Sequence, residues 1–266
     1  MNKAPKPSLA LLDALAARSG LVCVIGAGGK KTTMYRLAAL HPGKVGLTST
    51  VYIPRFPRYL DAAVVVTEES ETADKVAAAS TRSRVVAFAL HSDKRGRLTG
   101  LPGRRIAQIH QAAGFDVTYV KADGARSRGI KAPGDDEPQL PPQATTVIPI
   151  VSVRVVGEPL TDRIAHRVEQ ISALTGLAPG ADITAECVAR LLSHRSGALK
   201  NLGVDAKVIP LLTCVDDAER EAVAHEVASR ALALTSRFDQ VVLASYRRPE
   251  PLVSVVAKEG ITIGRP

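Results

Sequence analysis

The feature that most constrains this chain is the passage LVCVI at 21–25, running directly into GAGGKKTT and then TMYRLAAL. Five consecutive apolar residues suit a strand covered on both faces, and the three glycines free the backbone for a tight turn. The apolar spacing of Met34, Leu37 and Ala38 then suits one side of a helix. Strand, glycine loop and helix in that order place backbone amides and the positive end of a helix dipole together, where a phosphate binds.

The loop supplies Gly26, Ala27, Gly28, Gly29, Lys30, Lys31, Thr32 and Thr33 as candidate phosphate contacts. It departs from G-x-x-x-x-G-K-[ST], because with Lys31 and Thr32 as the final pair Lys30 takes the glycine position and Ile25 the first-glycine position. With Lys30 as the pair's lysine, Lys31 replaces the hydroxyl residue. Lys31 is the preferred phosphate lysine and Thr32 the preferred magnesium hydroxyl. The competing reading is a glycine-rich turn whose lysines face solvent. A dinucleotide crevice fits less well, since the glycines do not continue into G-x-G-x-x-G.

Further strands are expected at 45–50, 62–67, 85–90, 116–122, within TTVIPIV, within AKVIPLLTCVDD, within FDQVVLASY and at LVSVVA, with helices at 9–18, 71–79, 103–113, 162–174, 184–192 and within DDAEREAVAHEVASRAL. The alternation predicts an α/β fold: a P-loop-like, doubly wound, mostly parallel sheet with flanking helices, ligand loops lying at the carboxyl ends of its strands. Residues 1–266 are read as one domain with a helical insertion at 160–200. The proline- and acid-rich stretch 129–142 is excluded from regular helix and central strand.

Two other segments point to the same crevice. Thr50 closes the Thr48–Ser49–Thr50 run after the second strand. In VKADGARSRGIKAP, Asp123 is placed to hold a magnesium-bound water, with Arg126, Arg128 and Lys131 to contact an anionic substrate or developing phosphate charge. The plain alternatives are turn capping and an Asp-Gly turn with solvated bases. Glu137, beside Pro138, is the preferred acid of the following loop, and His166, Arg167 and Glu169 are expected to line the gap between core and insertion.

Composition removes several classes. Cys23, Cys187 and Cys214 form no Cys-x-x-Cys pair, and no two of the six histidines are spaced H-x-x-x-H, so disulfide scaffolds, zinc sites and thiol catalysis are set aside. No run approaches the roughly 20 apolar residues of a membrane span, and a cytoplasmic protein is expected. Residues 1–60 carry nine Lys or Arg against Asp13 alone, a field that attracts phosphorylated ligands. Nucleic acid is disfavoured, because aromatic residues are only 3% and do not interleave with the bases.

The ordered segments GAGGKKTTMYRLA, TSTVYIP, ADGARSRGIKAPGDDEP, HRVE and IPLLTCVDD together resemble the YqeC family, known as accessory proteins of selenium-dependent molybdenum hydroxylases or of selenium cofactor biosynthesis. The resemblance implies a P-loop-like nucleotide-binding protein supporting maturation of such a hydroxylase, with ATP or GTP and Mg²⁺ as cofactors and the hydroxylase or a cofactor intermediate as partner. It implies that Gly26, Gly28, Gly29, Lys31 and Thr32 match the phosphate loop, and Thr50 the threonine segment. Asp123, Arg126 and Lys131 match the acid-glycine-base segment, and His166, Arg167 and Glu169 the His-Arg-x-Glu segment. The family usually has one lysine where Lys30 and Lys31 stand here. Of its Asn-Lys-x-Asp-like segment only Asp216 remains, so no guanine preference is implied. The expected activity is a magnesium-dependent NTPase or phosphotransferase, the alternative a noncatalytic nucleotide-responsive chaperone or cofactor-insertion factor that binds an apo hydroxylase.

Overall fold

A computed structural model describes residues 9–258. Lys3 and Lys6, part of the basic N-terminal region, lie outside the described residues. A ten-stranded mixed sheet forms the centre. Its main strands are β1 (Gly20–Gly26), β2 (Val45–Ser49), β3 (Ala63–Thr67), β4 (Val85–Leu90), β5 (Val117–Lys121), β6 (Ala144–Ser152), β7 (Leu211–Thr213), β8 (Gln240–Ala244) and β9 (Leu252–Ala257). They lie in the order β9-β8-β7-β6-β1-β5-β2-β4-β3, with the short strand Lys207–Val208 also on β6. Every pairing is parallel except β8 with β9.

The helices are α1 (Ala10–Ala14), α2 (Lys30–Leu40), α3 (Glu69–Ser80), α4 (Gly103–Ala112), α5 (Val168–Thr175), α6 (Ala185–Ser193) and α7 (Ala218–Leu234). Their placement explains the unbroken apolar run of β1. Val22 and Val24 pack with Leu11, Leu12, Met34 and Leu37 from α1 and α2. Leu21, Cys23 and Ile25 point the other way, into a cluster with Val76 of α3 and Ile106 and Ile109 of α4. A strand covered on both sides has no solvent face to make polar. Farther along the sheet Val151, Leu212, Val241 and Leu243 pack with Ile171, Val188, Leu192 and Val227 from α5, α6 and α7, so residues 160–200 share a core with the sheet edge. Side-chain caps start two of these helices, Thr184 accepting from Cys187 N at 3.1 Å and Asp217 from Arg220 N at 2.9 Å.

The chain leaves β1 through α2 toward β2 on one side and later returns to β6 on the other. The strand order therefore reverses at β1, whose carboxyl end adjoins the segments after β5 and β6, the place where open α/β sheets form their ligand crevice. Among the described residues no helix is long and apolar enough to cross a membrane.

The structure differs from the sequence pattern at the end of one helix and the start of another. The expected helix at 9–18 ends at Ala14, after which Ala16 takes a left-handed φ of 45° that breaks the spiral while Leu15 and Ala17 stay buried. Residues 162–167, expected to open a helix, instead bring Ala165–His166 into parallel pairing with Ile130–Lys131. Arg167, with φ 70°, then turns the chain into α5.

Candidate functional site

The glycine loop is held in place by the protein itself. Gly26 has φ 84°, and a Cβ there would meet Ile150 O at 2.3 Å; Gly28 has φ 80°, and a Cβ would meet Ser152 N at 2.5 Å. Only glycine meets both demands. The Gly26 amide donates to Asp123 Oδ2 at 2.8 Å, the Ala27 amide to Ile150 O at 2.8 Å and the Gly28 amide to Arg128 O at 3.0 Å. The amides left for a ligand are those of the first turn of α2, which have no intrahelical acceptors and sit at the positive end of its dipole.

Helix α2 begins at Lys30, and this fixes which of the adjacent lysines turns inward. Lys30 is 6% exposed; its Nζ donates to Gly26 O and lies 2.8 Å from Asp123 Oδ1. Lys31, the next residue round the helix, is exposed, as is Thr32. Asp123, 2% exposed just beyond β5, is gripped from its other oxygen by Lys131, whose Nζ lies 2.9 Å from Oδ2. Lys131 Nζ also donates to Gly124 O and to Glu137 Oε2, each at 2.6 Å. Glu137 Oε2 further accepts from Arg167 Nη1 at 2.7 Å and Gly134 N at 3.0 Å, and Oε1 from Gly124 N at 3.2 Å. The left-handed turn at Arg167 thus presents its guanidinium to the acid loop, where it also donates to Ala132 O at 3.0 Å. The Glu137–Pro138 bond is cis.

Lys121, at the end of β5, adds a third buried ammonium whose Nζ donates to Tyr52 O at 2.9 Å. Lys30, Lys121, Lys131 and Arg167 are four bases around two acids, Asp123 and Glu137, so the centre is cationic. Burial moves Lys121 down to about 7, with Lys30 and Lys131 adding to the effect against the pull of Asp123. Burial likewise lowers Lys30 despite Asp123. Burial pushes Glu137 upward, but the hydrogen bond and charge of Lys131 and the amides of Gly134 and Gly124 outweigh it and hold the carboxyl at about 2. His166, beside Lys131 in the strand pairing, is lowered by burial and then by the neighbouring charges of Arg167, Lys131 and Arg126. Behind Asp123 and Lys131 a cavity of about 20 Å³, the scale of one water molecule, is lined by Gly26, Pro133, Leu191 and Ala198.

The structure therefore brings Gly26, Lys30, Asp123, Lys131, Glu137 and Arg167 together, with His166 alongside. The others are dispersed. Thr33 is buried and accepts from Tyr246 Oη at 2.7 Å. Thr50 Oγ1 donates to Gln139 O at 2.7 Å, tying the segment after β2 to the loop beyond Glu137. Arg126, with φ 45°, is exposed, Arg128 half-buried, and Glu169 faces solvent on α5. Asp216 forms a separate cluster, accepting from Ser245 Oγ at 2.7 Å and Arg154 Nη2 at 2.5 Å. Among the described residues no group of three or more His, Cys, Asp or Glu is disposed to hold a metal ion. Lys121 escapes sequence reasoning; the readable signal is a lysine ending an otherwise strand-like VTYVK, where a fully buried strand must bury it too.

The family model for the YqeC protein matches residues 22–169, from β1 through the glycine loop, the Asp123 segment and Glu137 to the first residues of α5. A protein of Escherichia coli strain K12, named "Uncharacterized protein YqeC", is 28% identical over 208 residues, covering 76% of this chain and 79% of the relative. The matched span contains every residue of the central charged cluster, and the chain belongs to the YqeC family.

Proposed function

We propose that the crevice beyond β1 and β5 binds the phosphates of a nucleotide, in a P-loop-like, doubly wound arrangement, with phosphoryl transfer or hydrolysis as the reaction class. The observation that carries this reading is the buried Lys30–Asp123–Lys131 cluster at the open first turn of α2. An excess of buried positive charge beside unpaired helix amides is stabilised by a polyanion. Asp123 holds Lys30; an arriving phosphate competes for that ammonium, while Lys131 keeps Asp123 and Glu137 neutralised. Arg126, exposed in the loop after Asp123, supplies charge at the mouth. Phosphoryl transfer draws chiefly on such positioning and electrostatic stabilisation. A role in maturing a selenium-dependent molybdenum hydroxylase rests on the family resemblance and is part of the proposal.

The donor set does not suit magnesium. Asp123 Oδ2 is taken by Gly26 N and Lys131, Oδ1 faces Lys30, and Lys31 stands where a hydroxyl follows the lysine in G-x-x-x-x-G-K-[ST]. No step is therefore routed through the ion. The same enclosure favours a second reading, a noncatalytic nucleotide-responsive factor, since the oxygens of Glu137 are engaged and Asp123 Oδ1, which accepts no hydrogen bond, is buried beneath the Lys30 ammonium, out of reach of an attacking water.

Calorimetry with ATP, GTP and a nonhydrolysable analogue tests the proposal. Lys30→Met should weaken binding by about 30-fold or more, the scale of a lost charge-assisted contact, whereas Lys31→Ala should change it by less than about threefold. Equal affinities in wild type and Lys30→Met, or no binding by a folded wild type, would sink the reading. Binding without turnover, coupled to a changed affinity for an apo hydroxylase, would select the noncatalytic form.

A further inference from the structure

We infer that the ligand of this crevice is the metal-free phosphate anion, with Lys30 and Lys131 serving as the counter-cations that magnesium supplies elsewhere. The inference rests on the proposed phosphate reading and specifies the ionic form the site takes.

A magnesium ion that bridges a protein and a polyphosphate needs hard oxygen donors with free lone pairs, directly or through its waters. The nearest acid is Asp123, and its two oxygens differ. Oδ2 is fully engaged by an amide at 2.8 Å and an ammonium at 2.9 Å. Oδ1 has no hydrogen bond and is buried, so it is the one oxygen with capacity to spare; the Lys30 ammonium lies over it at 2.8 Å. A cation reaching Oδ1 must expel a buried like charge and then sit between Lys30 and Lys131, with Lys121 nearby. Glu137 offers no alternative, because its oxygens accept from Lys131, Arg167, Gly134 and Gly124. Of the hydroxyls near the crevice, Ser49 Oγ donates to Lys121 O at 2.8 Å and accepts from Val51 N at 3.2 Å, and Thr213 Oγ1 is turned to donate to Gly28 O, so each is held by the backbone. Thr32 is exposed on the helix surface.

The same geometry suits a bare anion. A phosphate at the first turn of α2 meets unpaired amides and draws Lys30 off Asp123 without stranding that acid, because Lys131 and the Gly26 amide remain on it. Positive charge is already in place and nearly dry, so no ion has to be imported with the ligand.

The test is calorimetric titration of the full chain with inorganic tripolyphosphate and with ATP, in excess EDTA and in saturating Mg²⁺. Binding should be tight in EDTA, and the apparent affinity should fall by about tenfold or more with magnesium, because only the small uncomplexed fraction of ligand remains competent. Equal or tighter binding with magnesium overturns the inference and leaves the phosphate reading standing. No binding in either condition by a protein that unfolds cooperatively overturns the phosphate reading and this inference with it. A second titration, of Mg²⁺ alone into the protein, should give no saturable heat. Saturable heat that disappears in Asp123→Asn overturns the inference.

Discussion

Two acid clusters stand on the carboxyl edge of the same sheet and differ in what surrounds them. Asp123 follows β5 and is paired to Lys30 and Lys131, all three nearly inaccessible. Asp216 follows β7 and is paired to Arg154 and Arg247, whose side chains are 42% and 76% exposed. The first set of charges is interior on both sides of each pair, where desolvation makes every partner obligatory; in the second the carboxylate is 9% exposed but its guanidinium partners reach solvent that screens them. Position on the edge is shared, so the contrast isolates burial as what turns an ion pair into a unit on which fold and ligand binding both depend. The sharpest way to break the comparison is Lys131→Met. It removes the buried ammonium that Asp123 and Glu137 share, leaving the two carboxylates to Lys30 and Arg167 on their outer sides with nothing between them, and should cost about 3–5 kcal/mol in urea unfolding. A loss below about 1 kcal/mol would place the Asp123 cluster in the same screened class as Asp216.

Glu137 gives a milder test of the same point, through pH. Its folded carboxyl is held at about 2 against an ordinary value of 4.5, so its stabilisation is fully present above about 4.5 and is lost as pH falls through that window toward 2. The direction follows from the folded state binding its proton more weakly than the unfolded chain. The side chain is open to solvent in part, so the contribution is discounted to no more than about 2 kcal/mol. Urea midpoints of the wild type should drop steeply between pH 4.5 and 2, while Glu137→Gln should start lower and fall less over that interval. Parallel curves for the two proteins would show that the Lys131–Glu137–Arg167 contacts contribute nothing that depends on ionisation.

How much of this was readable follows from which interactions are local. The strand, glycine loop and helix at 20–40 are written in consecutive residues, and the observed β1 and α2 fall there because an apolar run covered on both faces and a glycine turn demand little else. The inward choice of Lys30 over Lys31 depends on where the helix begins, and one residue of phase decides it. Lys121 is signalled only by a lysine ending a strand pattern, and nothing local says that its ammonium is buried against Tyr52 O. The pairing of Ala165–His166 with Ile130–Lys131 joins segments far apart in the chain, so the amphipathic pattern at 162–174 read as one helix although only its latter part is. Asp123, Lys131, Glu137 and Arg167 were each visible as chemistry; that they converge on one another depends on tertiary contacts which spacing does not encode.

The smallest expected effect belongs to Asp216, and its smallness is the other half of the comparison. Asp216→Asn removes the ionic part of the contact with Arg154 but leaves an amide oxygen able to accept from Ser245 Oγ, and Arg154 remains solvated. The stability change should stay within about 1 kcal/mol, as for exposed pairs generally. The preference between ATP and GTP should shift by less than about twofold, because both oxygens of Asp216 are engaged by Ser245 and Arg154, leaving it poorly placed to read a base edge. A stability loss near 3 kcal/mol would show that this cluster is as interior in its energetics as Asp123. A shift in the ATP-to-GTP ratio with unchanged stability would mean that Arg154 yields to the ligand as Asp123's lysine is proposed to do, and that the edge carries two anion-responsive pairs rather than one.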